Sequence, residues 1–351
     1  MTAPAVLSAA ELVTTPRWFP HMLDPLRDAL LLVEKGEEEY RRAAFLDERS
    51  LSPDQARQAV DWRHVAAAFG PAARRDAQYI FHIGHVGSTL VSRLLGELPT
   101  FFSLREPLLL RVLADMAAEA GSDEALWSPK TLAARLDGAQ ALLSRTFRAE
   151  QRALVKATSA ASEIAPGLVG PGSKALLLYA RPERYGATIL AGENSRRELA
   201  MASQERLKRL HRRSGGRRWR LWEMDEGARL GLAWAAEMTS LVQAVDALGP
   251  GAAMWLDFDA FLTDPSRALA DVARGFGSPA DAAAELARHP LMHRYSKATD
   301  HEYSASLRAE LLTAASRDHA DVLAAALAWL EEAARDVPAI ARALDAAGRT
   351  R

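Results

Sequence analysis

The sequence predicts an α/β chain, a three-layer sandwich around a mainly parallel sheet of about five strands, and three observations carry that expectation. Short, almost wholly apolar runs at residues 79–83, 101–104, 153–155, 175–179 and 253–258 read as strands buried on both faces. Amphipathic stretches at 89–98, 108–120, 131–147, 230–248 and 266–276 alternate with them and read as helices. The junction from the first strand into the first helix carries glycines and hydroxyls in an order suited to holding an anion. Residues 73–351 are assigned to this α/β domain, and 1–72 to a helical N-terminal extension packed on it.

The extension opens with Pro16-Arg17-Trp18-Phe19-Pro20, and its apolar positions Leu26, Ala29, Leu30 and Val33 recur at helical spacing. Its aromatic residues Trp18, Phe19, Phe45 and Trp62 need a surface to bury against. It ends near Phe69-Gly70-Pro71 and carries no recognisable catalytic motif. The first strand then runs into Gly84, His85, Val86, Gly87, Ser88 and Thr89. Gly84 and Gly87 permit backbone conformations that turn N–H groups inward, and Ser88 and Thr89 open a helix whose free amides attract a phosphate. The nucleoside triphosphatase loop would place a lysine just before the hydroxyl; Gly87 stands there, which disfavours ordinary ATP chemistry.

The second strand delivers Arg105-Glu106-Pro107, a proline-fixed bend that can aim Glu106 into the cleft at the strand ends. The third delivers Lys156, which either steadies an anion there or snorkels along the surface. The fourth ends in Ala180-Arg181-Pro182, with Thr188 on the helix beyond, and the fifth leads to Asp264-Pro265, a cap followed by proline at the first helical turn.

Composition narrows the class. With 351 residues, a net charge of −1 and 49% apolar residues, this is an ordinary globular chain; without cysteine it has neither disulfides nor thiolate chemistry. The start lacks the pattern of a secretory signal, and no stretch reaches the ~18 apolar residues of a membrane span, so a cytoplasmic location without membrane contact is expected. The basic run at 206–220 reads as a solvated helix face followed by a mobile Gly-Gly loop, and no nucleic-acid partner is expected. His289 and His293 have helical ligand spacing, but Pro290 interrupts it and no third ligand follows; no metal is expected.

Taken together from about residue 77 to 303, the loop Gly84-His85-Val86-Gly87-Ser88-Thr89, the Arg105-Glu106-Pro107 bend, the Arg181-Pro182 strand end with Thr188, and the passage from Trp255 to Pro265 resemble the sulfotransferase superfamily, in particular its bacterial sulfotransferase-like members. The resemblance implies a fold related to the P-loop nucleotide kinases. It also implies a co-substrate, 3′-phosphoadenosine-5′-phosphosulfate, whose 5′-phosphosulfate lies on residues 84–89 and whose 3′-phosphate meets Arg181 and Thr188. Transfer to a hydroxyl or amine of a small-molecule or carbohydrate acceptor would follow, without metal. Three departures stand out: His85 where many relatives carry a lysine, Thr188 for the usual serine at a spacing one residue shorter, and Arg294-Tyr295-Ser296-Lys297 in place of a glycine-terminated basic loop, with Lys297 as its donor-binding residue. Glu106 is the expected acceptor base and His85 the leaving-group donor, with His82 a second candidate base. Competing local readings pair Glu106 with Arg105 or Arg111, and Arg181 with Glu183. A nucleotide-dependent kinase and a non-catalytic nucleotide-binding protein are the alternatives.

Overall fold

The computed structural model describes residues 7–294 and 304–349. Two sheets organise the chain. The larger holds five parallel strands in the order β5-β6-β4-β7-β8, where β4 is Gln78–His82, β5 Phe101–Arg105, β6 Arg152–Lys156, β7 Ala175–Tyr179 and β8 Ala253–Asp257. The strands β4, β5 and β7 are buried at every residue, as their unbroken apolar runs require, and helices cover both faces of the sheet. The expected sandwich is therefore present, with strand ends within two residues of those read from the pattern. The chain leaves central β4 for β5, returns through β6, and lays β7 on the other side of β4. That reversal opens a crevice at the carboxyl ends of the strands, the usual place for a ligand in such sheets.

The extension is not helical as expected. It forms a three-stranded antiparallel sheet of β1 (Trp18–Asp24), β2 (Ala29–Glu34) and β3 (Arg57–Asp61), flanked by short helices. Helical spacing misled because Leu26, its first apolar position, lies at the hairpin tip and is 81% exposed. Asp24 turns the chain there by accepting the N–H groups of Leu26 and Arg27 at 3.0 and 3.1 Å, and Asp28 takes a left-handed φ of 50°. Leu30 and Leu32 then share a buried face with period two.

Two buried arginines of the α/β domain hold the extension. Arg105 donates to the carbonyls of Ala43 (2.7 Å), Arg41 (3.0 Å) and Tyr40, and Arg145 to those of Leu12 (2.8 Å), Thr15 (3.0 Å) and Trp18 (2.8 Å). Neither is paired with a carboxylate among the described residues, and burial pushes Arg105 down to about 9 and Arg145 to about 10. Tyr40 packs edge-on against Phe102, ring centroids 4.9 Å apart, so the two parts share one core.

Candidate active site

The site begins where β4 runs out. Its last ladder bond, from Ile83 N–H to Leu178 O at 3.3 Å, ends the strand, and the chain reverses through Gly84 (φ 81°), His85 (φ 55°) and Gly87 (φ 64°). His82 braces the turn: its Nδ1 accepts the Gly84 N–H at 2.9 Å, which leaves the proton of the neutral ring on Nε2. Gly87 answers to space as well as to conformation, because a Cβ there would fall 2.0 Å from Cζ of Phe258. As the N-cap of the Ser88–Leu95 helix it offers no side chain, so the first-turn amides have no side-chain acceptor. Thr89 is buried, and its hydroxyl makes no hydrogen bond within the protein. Thr158, which lines the same cavity, also has a buried hydroxyl without a partner. Other buried hydroxyls, those of Tyr79, Ser162, Tyr179 and Tyr185, also lack partners, but only Thr89 and Thr158 among these six line the cavity, where a guest can reach them.

The cavity in front of the loop has a volume of about 330 Å³. Glu106 and Lys156 enter it from the ends of β5 and β6. Lys156 is 1% exposed and its ammonium donates to the Glu106 carboxylate, while the Glu106 N–H donates to Lys156 O at 2.7 Å. Glu106 itself sits at φ 53°. Among the described residues only Asp28, His85 and Glu106 combine a side chain with a left-handed φ. Two of these three are the residues that the sequence nominates for chemistry, and backbone held in a costly conformation of about 1–3 kcal/mol tends to collect at functional sites. The pairing expected for Glu106 with Arg105 or Arg111 is replaced by Lys156; Arg105 is spent on backbone carbonyls, and Arg111 pairs with Asp115 at 3.2 Å.

The His85 ring is bracketed by Glu198 (Nε2 to Oε2, 3.2 Å) and Ser195 (Nδ1 to Oγ, 3.4 Å), both on the Glu193–His211 helix. Val86 is buried under the loop. Arg181 does not line this cavity: it faces Asp257 on β8 at 3.6 Å, not Glu183, and is 42% exposed. Burial and the neighbouring Asp259 raise the Asp257 carboxyl from its usual range, against opposing backbone hydrogen bonds and Arg181. Thr188 donates back along its helix to Arg184 O at 2.7 Å. This group flanks the loop through Phe258, the residue between Asp257 and Asp259, whose ring meets Gly87. Lys297 lies outside the described residues.

The basic run follows expectation in part: Lys208, Arg212, Arg217, Arg218 and Arg220 are exposed, as are Gly215 and Gly216. Arg206 and Arg209 are buried, not solvated, and grip the buried Glu237 at 3.0 and 2.8 Å; Arg213 pairs with Glu163. Burial explains the change, since the Glu226–Leu248 helix brings a carboxylate into the core that only arginines from the Glu193–His211 helix can balance. His289 caps the turn Pro290–His293, its Nδ1 accepting Leu291 N–H at 3.3 Å, and no cluster of three or more metal-ligating side chains occurs among the described residues. No helix there is long and apolar enough to cross a membrane.

Sequence reasoning missed Phe45 and Arg49, which reach the cavity from the extension, and Thr158 and Ser159, which follow β6. Hydroxyls directly after a buried strand were a readable signal for the latter pair. An extension expected to be helical hid the former.

The fold and loop thus define an α/β protein with a glycine turn into an uncapped helix start at the strand ends. Solved structures similar to the chain are sulfotransferases: the domain of the Synechococcus olefin synthase (15% identity, TM-score 0.40, covering 78% of this chain and 95% of that one), the domain from the curacin biosynthetic pathway (14%, 0.39, 66% and 85%) and an enzyme of Mycobacterium avium (12%, 0.36, 73% and 79%). No family model matches the sequence, and no curated protein matches it. At these identities and scores the likeness carries no inference about activity, and the chemistry rests on the chain's own residues.

Proposed function

We propose that the chain transfers a sulfuryl group from 3′-phosphoadenosine-5′-phosphosulfate to a hydroxyl or amine of a small-molecule or carbohydrate acceptor. The observation that supports this reading is one cavity holding an uncapped helix start, the unmatched hydroxyl of Thr89 and the strained Glu106. The residues suit a phosphosulfate: amides of His85, Val86 and Gly87 with the hydroxyls of Ser88 and Thr89 receive its oxygens, while the Gly84 N–H is held by His82 Nδ1 and shapes the turn; Arg181 with Lys297 takes the 3′-phosphate, joined by Thr188 once its hydroxyl turns from Arg184 O. When bound, the donor supplies an activated sulfur that an acceptor attacks in line. Glu106 takes the acceptor proton, and the Lys156 ammonium, released from it, remains to balance charge in the cavity. His85, whose ring nitrogens face Glu198 and Ser195, exchanges one of these contacts for the leaving oxygen, to which it then donates. Positioning and fixed dipoles carry most of the work, as in phosphoryl transfer.

Calorimetric titration with adenosine 3′,5′-bisphosphate tests this reading. Binding without magnesium is expected, and strict dependence on magnesium and a 5′-triphosphate would refute it in favour of a kinase. Arg181→Ala should weaken the bisphosphate about 10- to 100-fold while sparing adenosine 5′-monophosphate, the loss of one charge-assisted contact. Glu106→Gln should keep bisphosphate affinity and lower turnover; turnover absent in the unaltered chain across broad acceptors, with binding intact, would favour a non-catalytic binder.

A further inference from the structure

The extension, whose strands form a sheet of their own, builds one wall of the cavity. Leu46 N–H donates to Arg105 O at 2.7 Å, one residue before Glu106, and the Arg105 guanidinium clamps the carbonyls of Tyr40, Arg41 and Ala43. Phe45 is thereby fixed in the cavity wall beside the end of β5. Two cations gather on its ring: the Arg49 guanidinium at 3.8 Å from the centroid and the Lys156 ammonium at 5.4 Å. Asp47 holds Arg49 through Nε and Nη2, leaving Nη1 as its remaining donor group, and Arg49 is close enough to Glu106 for their charges to interact. Among the described residues the lining is otherwise polar, with Phe45 and Val86 its only large apolar side chains. Such a space disfavours bulky apolar acceptors.

We propose that Phe45 and Arg49 form the acceptor wall and that Arg49 selects small polar acceptors carrying a carboxylate close to the hydroxyl or amine being sulfated. This rests on the sulfuryl-transfer reading. An anionic acceptor beside an anionic donor is repelled, and Arg49, oriented by Asp47, offsets this by offering Nη1 to the acceptor carboxylate. The acceptor oxygen bonds to sulfur, its proton passes to Glu106, and the S–O bond to the 5′-phosphate breaks with its electron pair left on that phosphate. Arg49 keeps its proton throughout.

The test uses the full chain and two matched acceptor pairs, glycerate with glycerol and glucuronate with glucose. Adenosine 3′,5′-bisphosphate binding is measured first, and its absence refutes sulfuryl transfer itself. With binding present, kcat/KM should favour the anionic member of at least one pair by about tenfold or more, Arg49→Ala should bring that ratio towards one, and Arg49→Lys should leave it intermediate. Equal or neutral-favouring ratios, a preference that survives Arg49→Ala, or no turnover of either pair despite bisphosphate binding would overturn the anionic-acceptor assignment while leaving sulfuryl transfer standing.

Discussion

Replacing Gly87 by alanine separates two costs that the loop combines. The first is conformational: a residue with a Cβ at φ 64° loses about 1–2 kcal/mol. The second is steric, because the new Cβ would lie 2.0 Å from Phe258 Cζ. That ring has little room to retreat. It is 3% exposed, stacks on Phe261 with centroids 5.7 Å apart, and lies under the Arg308 guanidinium at 5.1 Å. Forcing a packed ring aside costs about 1–3 kcal/mol, so Gly87→Ala should lose roughly 2–5 kcal/mol in all. Gly84→Ala provides the comparison: φ is 81°, yet a Cβ meets nothing within 4 Å, so only the conformational cost of about 1–2 kcal/mol applies. Urea unfolding at 25 °C measures both, and Phe258→Leu in the Gly87→Ala background should recover part of the steric share as a favourable coupling. Equal losses at the two glycines, or no coupling with Phe258, would refute the argument.

Two further outcomes follow from the buried charges. Lys156→Met leaves Glu106 without its buried partner and should cost about 3 kcal/mol in urea unfolding, most of it recovered in the Lys156→Met/Glu106→Gln double variant; loss without recovery would show that the pair is not the cause. Burial alone would raise the Glu237 carboxyl, but Arg209 and Arg206 outweigh it and hold it below the usual carboxylate range. A folded-state pKa below the unfolded value gives a stability contribution that is complete above about pH 4.3 and is lost as pH falls through the folded pKa, so Glu237→Gln should destabilise the protein at pH 7 and flatten the acid limb of its stability profile.

The parallel sheet and its loop were legible because burial on both faces leaves few polar residues in a strand, and because reversing the chain directly into a helix start calls for glycine and hydroxyls. Glu106 was legible from its proline-fixed bend. Its partner was not: Lys156 stands 50 residues away in sequence, and only the pairing of β5 with β6 joins them. The hairpin β1–β2 was misread since the five-residue apolar run from Ala29 to Val33 fits either period, and what decides is the Asp24 turn. Arg206 and Arg209 were misread for a related reason, because a charge run looks solvated until a carboxylate from another helix is seen beneath it.

Arg105 and Arg145 impose an order on how the chain comes together. The carbonyls they satisfy lie up to 133 residues upstream, so the N-terminal segment leaves the ribosome long before either guanidinium exists. At synthesis rates of about 5–20 residues per second, that is an interval of roughly 7–27 seconds. A three-stranded sheet with an uncovered apolar face must wait through it. The segment is thus made well before it can settle, and a nascent chain halted before residue 145 exposes Phe19, Leu30 and Leu32 to any chaperone that reads apolar surface.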